Sequence, residues 1–564
     1  MTGAKLQLYS QGRENIYLTK NPQISFFKKV YHKYSNFAIQ TIDLQFEFIG
    51  NLSYDNTTKI KLKLDKNGDL INKLFLEINL PAIFSDKDSN KIHLHWANNI
   101  GDILIKNARI LVGGIVVEEY DSEYMFIHNN ISNTQDQKDK LNNLMEKEKL
   151  RYKNNTYNKF VHTEHSDYIN PNTEPLPSID SKNIRIPLPF WFHRNIGASL
   201  PISSLLYHDA LVEIELRPLK ELLNYFDRYT ITTSDPNLTF NINSIKSVSV
   251  KNNHGNTIDQ QTILSLFENN RWNINPILNV DYIFLSGQFK KDFQESTLQY
   301  IVEPITKLII NDKTGMVDTR DDPTNAMPHH PCEEFFIVPR RNDVKNTNNW
   351  LNFTNNDDYY MDGNIEKNQT YYYELARKNH ENDNVTYETP IHYLAKFTDE
   401  SITHTIDGNQ YSITSDNKLS NNEIQELIDN WKHRNQIDIP SITMDNYKFF
   451  SKNIIEHISF DYDETNRIPR KDYQYFNKIQ PFMHHNNMLE GICSHSFALH
   501  PDNYDPSGTS NLGEIKNIRF EIKLKDIDDN LKKTEKYKYD ILLYMKYYNV
   551  LEIKSGMAEL LFKI

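Results

Sequence analysis

The chain has little of what most catalytic and exported proteins display. Cysteine occurs twice in 564 residues, as Cys332 and Cys493, so no disulfide framework is available and a reducing compartment is expected. Glycine is scarce, at 17 residues. The glycine-rich phosphate loops, the Walker and dinucleotide fingerprints, the H-E-x-x-H zinc helix and the G-x-S-x-G elbow are all missing. No apolar run approaches the roughly 18 residues a spanning helix needs, and the opening "MTGAKLQLYSQGRENIY" has no apolar signal core. A soluble, globular chain of more than one domain is the expectation at this length. The net charge of -12 argues against an electrostatic grip of the whole protein on nucleic acid, and no sequence-specific nucleic-acid binding is expected. Acid is itself missing from one place: residues 16–38, "IYLTKNPQISFFKKVYHKYSNFA", contain lysines and aromatics and no carboxylate.

What the chain does have is strand signal. Val212, Ile214 and Leu216 alternate with Glu213, Glu215 and Arg217, and Ile518, Phe520, Ile522 and Leu524 alternate with Arg519, Glu521, Lys523 and Lys525. Period-two patterning of this kind predicts half-buried antiparallel strands. In "KIKLKLDKNGDLINKLFLEINLP", Ile60, Leu62 and Leu64 oppose Lys59, Lys61 and Lys63, and Asn67-Gly68 predicts a hairpin through a type I′ turn. Helices are predicted in few places, chiefly "DQKDKLNNLMEKEKLRYK" and "SNNEIQELIDNWKHRNQ". The Asn/Asp-rich stretches 222–275 and 342–440 are too polar to form a core and read as long loop insertions.

Candidate chemistry is thin. The His pairs His329-His330 and His484-His485 are the sharpest metal candidates, but neighbours on an extended strand point to opposite faces. They read as structural or surface histidines. The carboxylate pairs Glu118-Glu119 and Asp321-Asp322 read as solvated loop charge. No cofactor and no catalytic residue are expected.

Eight ordered blocks then carry a resemblance. "NIYLTKNPQISFFKKVYHKYSNFA", "NGDLINKLFLEINLP", "WANNIGDILIKNARILVGG" and "IPLPFWFHRNIGASLPISSLLYHDALVEIELRP" in the first half, and "MPHHPCEEFFIVPRR", "YFNKIQPFMHHNN", "HSFALHPDNYDPSGTSNLGEI" and "YYNVLEIKSGMAELLF" in the second, resemble the major capsid proteins of nucleocytoplasmic large DNA viruses. The resemblance implies an all-β chain of two tandem eight-stranded jelly rolls with long loop insertions and a few short helices. It implies an N-terminal arm (1–25), a first jelly roll (26–221) and a second (222–564) carrying the 342–440 insertion. It implies a non-enzymatic part of an icosahedral virion, assembled in the host cytoplasm, in which homotrimeric pseudo-hexagonal capsomers tile against neighbouring capsomers. Minor capsid proteins and the lipid of an internal membrane are the further partners. On that reading Lys20, Phe26, Phe27, Lys28, Lys29 and Lys33 form an inner-face assembly contact, which answers why an acidic protein opens with an acid-free segment. A minor-capsid or scaffold-type paralogue and a carbohydrate-binding jelly roll used in attachment are the alternatives.

Overall fold

The computed structural model describes the chain apart from residues 1–2, 11, 24–31, 48–50, 85–92, 98, 146–178, 180, 227–246, 250–259, 268–270, 322–329, 343, 345–347, 355–401, 407–408, 414–452, 464, 516, 526–537 and 563–564. Among the described residues, sixteen strands build the main sheets of two sandwiches. In the first half these are β1 (Phe37–Gln45), β2 (Thr58–Lys63), β3 (Leu70–Leu80), β4 (Ile105–Val112), β5 (Ile115–Asp121), β6 (Lys182–Pro187), β7 (Ala210–Leu216) and β8 (Ile277–Leu285). In the second they are β9 (Ile305–Lys313), β10 (Met316–Asp318), β11 (Pro331–Arg341), β12 (Ile455–Tyr462), β13 (Thr465–Asp472), β14 (Cys493–Ser496), β15 (Ile518–Leu524) and β16 (Tyr539–Tyr547).

The first half pairs as β1-β8-β3-β6 and β2-β7-β4-β5, and the second as β9-β16-β11-β14 and β10-β15-β12-β13. The second order is the first with eight added to every strand number, and all of these pairings are antiparallel. Two sheets with this four-strand order make a jelly roll, the β9-β16-β11-β14 sheet adding the two-residue strand Ser510–Asn511 against β11 as a fifth. The fold is therefore a double jelly roll, as the resemblance implies.

Local sequence explains the strands. In β7, Val212, Ile214 and Leu216 turn into the first core while the intervening residues are half-buried. The outward positions form cross-strand ion pairs: Glu213 meets Lys61 of β2 and Arg109 of β4, the latter at 2.6 Å, and Lys106 meets Glu215 at 2.9 Å. Such half-exposed pairs fix register more than they stabilise.

Two sequence expectations give way. The Asn67-Gly68 turn joins no hairpin: β2 pairs with β7 and β3 pairs with β8 and β6, so the turn carries the chain from one sheet to the other. Gly68 is needed for space, because a Cβ there would lie 2.8 Å from the Tyr282 side chain. The division expected at residue 221 also fails to coincide with the sheets. β8, at 277–285, closes the first sandwich between β1 and β3, so that sandwich draws on residues far beyond 221. The first predicted helix is present as Gln135–Leu144, with a capping box between Thr134 and Gln137. The second, around residues 420–436, lies outside the described residues, as does most of the 342–440 insertion.

The two central strands of the second half's inner sheet, β11 and β16, are buried on both faces. Along β11, Phe335 and Ile337 enter the core of the second sandwich, whereas Phe336 and Val338 join the core shared with the first half. Along β16, Ile541, Leu543 and Met545 go one way, and Leu542 and Tyr544 the other. One sheet thus belongs to two cores, and the two sandwiches are welded into a single body.

Candidate functional site

The weld is where the chain concentrates its buried charge. β5 ends at Asp121, whose carboxylate caps the helix Ser122–Ile131 by accepting the Tyr124 backbone N–H at 2.8 Å. That helix lays Tyr124 against Tyr544 and Phe336, with ring centroids 5.8 and 6.3 Å apart. Around its first turn, Glu123 takes a charge-assisted bond from Arg340 at 2.7 Å and lies 3.8 Å from Arg217 and 3.7 Å from Lys307. Lys307 also reaches Asp121 at 2.5 Å, and the Tyr544 hydroxyl donates to Asp121 at 2.9 Å. Burial alone would raise Glu123, but Lys307, Arg217 and Arg340 together hold it down at about 2.

A second cluster lies deeper. Lys546 of β16 reaches Glu303 at 2.9 Å, Glu333 at 3.0 Å and Glu334 at 3.3 Å, and donates to the Pro501 carbonyl at 3.0 Å. Its side chain is 3% exposed. Burial would discharge it, yet Glu303, Glu333 and Glu334 push its pKa well above the usual lysine value. Arg194, from the first half, pairs with Glu303. Glu118 of β5 accepts the backbone N–H groups of Trp191 and Glu303, each at 2.9 Å, so one carboxyl ties both halves through the main chain. His485 sits between Glu334 (3.2 Å) and Asp502 (3.1 Å); burial opposes its charge, but the two carboxylates raise it to about 9.

These positions correct the sequence reading in part. Glu118 is a buried strand residue, not solvated loop charge, because Arg194 and two main-chain donors replace water around it. The histidines do not converge: His330 stacks on Tyr547, His484 contacts the Leu499 carbonyl at 3.2 Å, and His485 is an ion-pair partner. His329 lies outside the described residues. Among the described residues no group of three metal-ligating side chains forms, and burial pushes both thiols, Cys332 and Cys493, upward. The described start of the insertion, up to Thr354, is anchored against the first half. Asn348 donates to the carbonyls of Lys220 and Leu223, at 2.8 Å each, and the Arg217 guanidinium lies 4.5 Å from the Trp350 ring centre.

Of the anticipated assembly residues, Lys20 follows the helix Arg13–Thr19 and Lys33 precedes β1, both exposed. Phe26, Phe27, Lys28 and Lys29 lie outside the described residues. The opening segment leaves apolar surface uncovered, with Leu8 71% and Leu18 81% exposed, and the helix Gly3–Tyr9 buries none of its residues. Edge strand β1 also leaves Phe37 and Ile39 half exposed.

Residues 25–285 match the family described as major capsid protein N-terminus, and residues 352–559 match the large eukaryotic DNA virus major capsid protein. The major capsid protein of Phaeocystis pouchetii virus is 24% identical, over 99% of this chain and 99% of its own length. Probable capsid protein 4 of Acanthamoeba polyphaga mimivirus is also 24% identical, over 100% of this chain and 99% of its own. A chain from the quasi-atomic PBCV-1 virus capsid superposes with a TM-score of 0.57 at 16% identity, covering 96% of this chain and all of that one. At that identity the structural likeness speaks for the fold.

Proposed function

The chain belongs to the major capsid protein family of large eukaryotic DNA viruses, and from that membership we propose that three copies of its double sandwich stand side by side as a pseudo-hexagonal capsomer. Its role is structural, a building block of the virion shell, and not catalytic. Self-association and contact with neighbouring capsomers follow from that role. The observation that carries the trimer reading is the doubled strand permutation with a shared inner sheet. Two similar sandwiches fused rigidly give each copy two similar flanks, and three such copies approximate a hexagon. Assembly in the host cytoplasm is consistent with the two buried, unpaired thiols.

The full chain is expected to purify as a homotrimer of about 200 kDa, three times 66.6 kDa, with interfaces of the obligate class, roughly 2,000 Å² or more. Light scattering at micromolar concentration checks this, and a monomer mass refutes it.

We further propose that the opening segment is the inner-face contact to minor capsid proteins or to anionic lipid of an internal membrane. Its exposed Lys20 and Lys33 supply attraction and its uncovered leucines supply burial. Reversing Lys20 and Lys33 to Glu should leave trimers intact while weakening shell assembly. Milder Lys→Gln changes should show a salt-sensitive defect, because exposed charges are screened beyond about 8 Å at physiological ionic strength. Normal assembly of the reversed variant on any salt would remove the lysines from the contact. The Tyr- and Asn-rich loops on which a carbohydrate-binding reading rests fall mostly in 355–401 and 414–452, outside the described residues.

A further inference from the structure

The deeper cluster at the weld does not balance as drawn. Three cations, Lys546, Arg194 and His485, face five carboxyls, Glu118, Glu303, Glu333, Glu334 and Asp502. Asp502 and Arg194 keep a little exposure, at 13% and 15%, while the other six side chains are almost wholly removed from water. An unbalanced charge at such depth is costly, and a carboxyl there takes up a proton instead. The geometry selects which one. Glu303 has both Arg194 and Lys546; Glu334 has Lys546 and His485; Glu118 has two main-chain donors. Glu333 has a single cation, which it shares with Glu303 and Glu334, and its side chain is 0% exposed.

We propose that the seam between the two jelly rolls is a proton-loaded clasp, closed while Glu333 holds a proton beside Lys546 and His485 is cationic between Glu334 and Asp502, and loosened by alkali. The clasp is internal to one chain, so it stands or falls independently of what the chain assembles into.

The other titratable groups around Glu333 fit this reading. Tyr548 follows β16 with its hydroxyl beside the Glu333 carboxyl, and Cys332, next on β11, is a thiol that burial keeps protonated. From the first half, burial holds His128 well below the usual histidine value and His193 at about 4, so both are neutral. Glu118, the carboxyl on the facing strand, is raised by burial against the pull of Arg194. Among the described residues, Lys546 is thus the cation that acts on the Glu333 carboxyl. Burial, with Glu303 and Glu334 nearby, raises Glu333 to about 8 against the attraction of Lys546.

The sign follows from linkage. Glu333 binds its proton more tightly in the folded chain, so its contribution falls as pH rises from the ordinary Glu value near 4.5 to about 8 and is constant above. His485 contributes fully below about 6.5 and loses that contribution as pH rises through about 9. Above both values the folded seam gains one negative charge and loses one positive charge.

The test is the full chain and its Glu333→Gln variant, which keeps shape while fixing the neutral state. Their unfolding midpoints should nearly coincide at pH 5, separate in favour of the variant as pH rises, and stop separating near pH 8. Corrected for intrinsic exchange, amide protection in β5 and β16 of the native chain should drop at least about tenfold between pH 7 and pH 9.5, the equivalent of one pKa unit, and less in the variant. An infrared band of a protonated carboxyl should be present in the native protein at pH 7 and absent in the variant. A midpoint difference that does not change with pH, or a native spectrum without that band, overturns the clasp. Should Glu333→Gln not fold, the band's disappearance from native protein on titration through pH 8 decides alone: persistence to pH 10, or absence at pH 6, refutes it.

Discussion

Replacing Lys546 with methionine should lower the unfolding free energy by about 3 to 5 kcal/mol, the cost of removing one partner from a buried ionic group. The methionine fills much the same volume, so the loss is electrostatic rather than a packing defect. It leaves Glu303, Glu333 and Glu334 facing one another without the cation that all three share. A companion change should restore part of the loss: with Glu334→Gln added, one of the stranded charges is gone and the two substitutions should be less than additive. Equivalent treatment of an exposed pair, Lys63→Met opposite Asp209, should change little. Denaturant titration of the four variants checks all of this. If Lys546→Met is as mild as Lys63→Met, the seam is not the electrostatic keystone described above.

Phe335→Ala and Phe336→Ala should each cost about 3 to 5 kcal/mol, yet fail in different ways. Phe335 packs inside the second sandwich against Phe460 and Phe520, with ring centroids 5.4 and 4.9 Å apart. Phe336 points the other way, to Tyr124 of the first half at 6.3 Å and His485 at 5.9 Å. Emptying the first position weakens one sandwich; emptying the second weakens the weld. Calorimetry should therefore show Phe335→Ala melting the second half early, and Phe336→Ala splitting one transition into two, one for each half. A single shared transition of equal shift in both variants would mean that the weld is not a separable source of cooperativity.

The alternation in β7 and β15 makes those strands legible in the sequence, because each has one face on a core and one toward polar surroundings. The same rule hides β11 and β16. "FFIV" and "ILLYM" do not alternate, and such unbroken apolar runs signal a strand covered on both sides. Read that way, they point to the weld. The Asn67-Gly68 turn misleads since the same chemistry serves a hairpin and a sheet-to-sheet crossing; only the partner of β3 distinguishes them. β8 is hard to place for a related reason: it closes the first sandwich against β1, some 240 residues earlier in register, for example Thr41 opposite Asp281. Non-local pairing of that kind leaves no trace in local pattern. The site residues fare likewise. Glu118 and His485 take their character from Arg194, Glu334 and Asp502, which are distant in sequence. Nothing adjacent to either announces a buried charge.

The central claim is that two welded jelly rolls make one subunit of a three-copy shell tile. Negative-stain microscopy of the purified full-length protein at micromolar concentration tests it most directly. The account predicts uniform particles of hexagonal outline, each made of three copies contributing two lobes apiece. Fields of separate two-lobed particles, or assemblies with another number of copies, would contradict it.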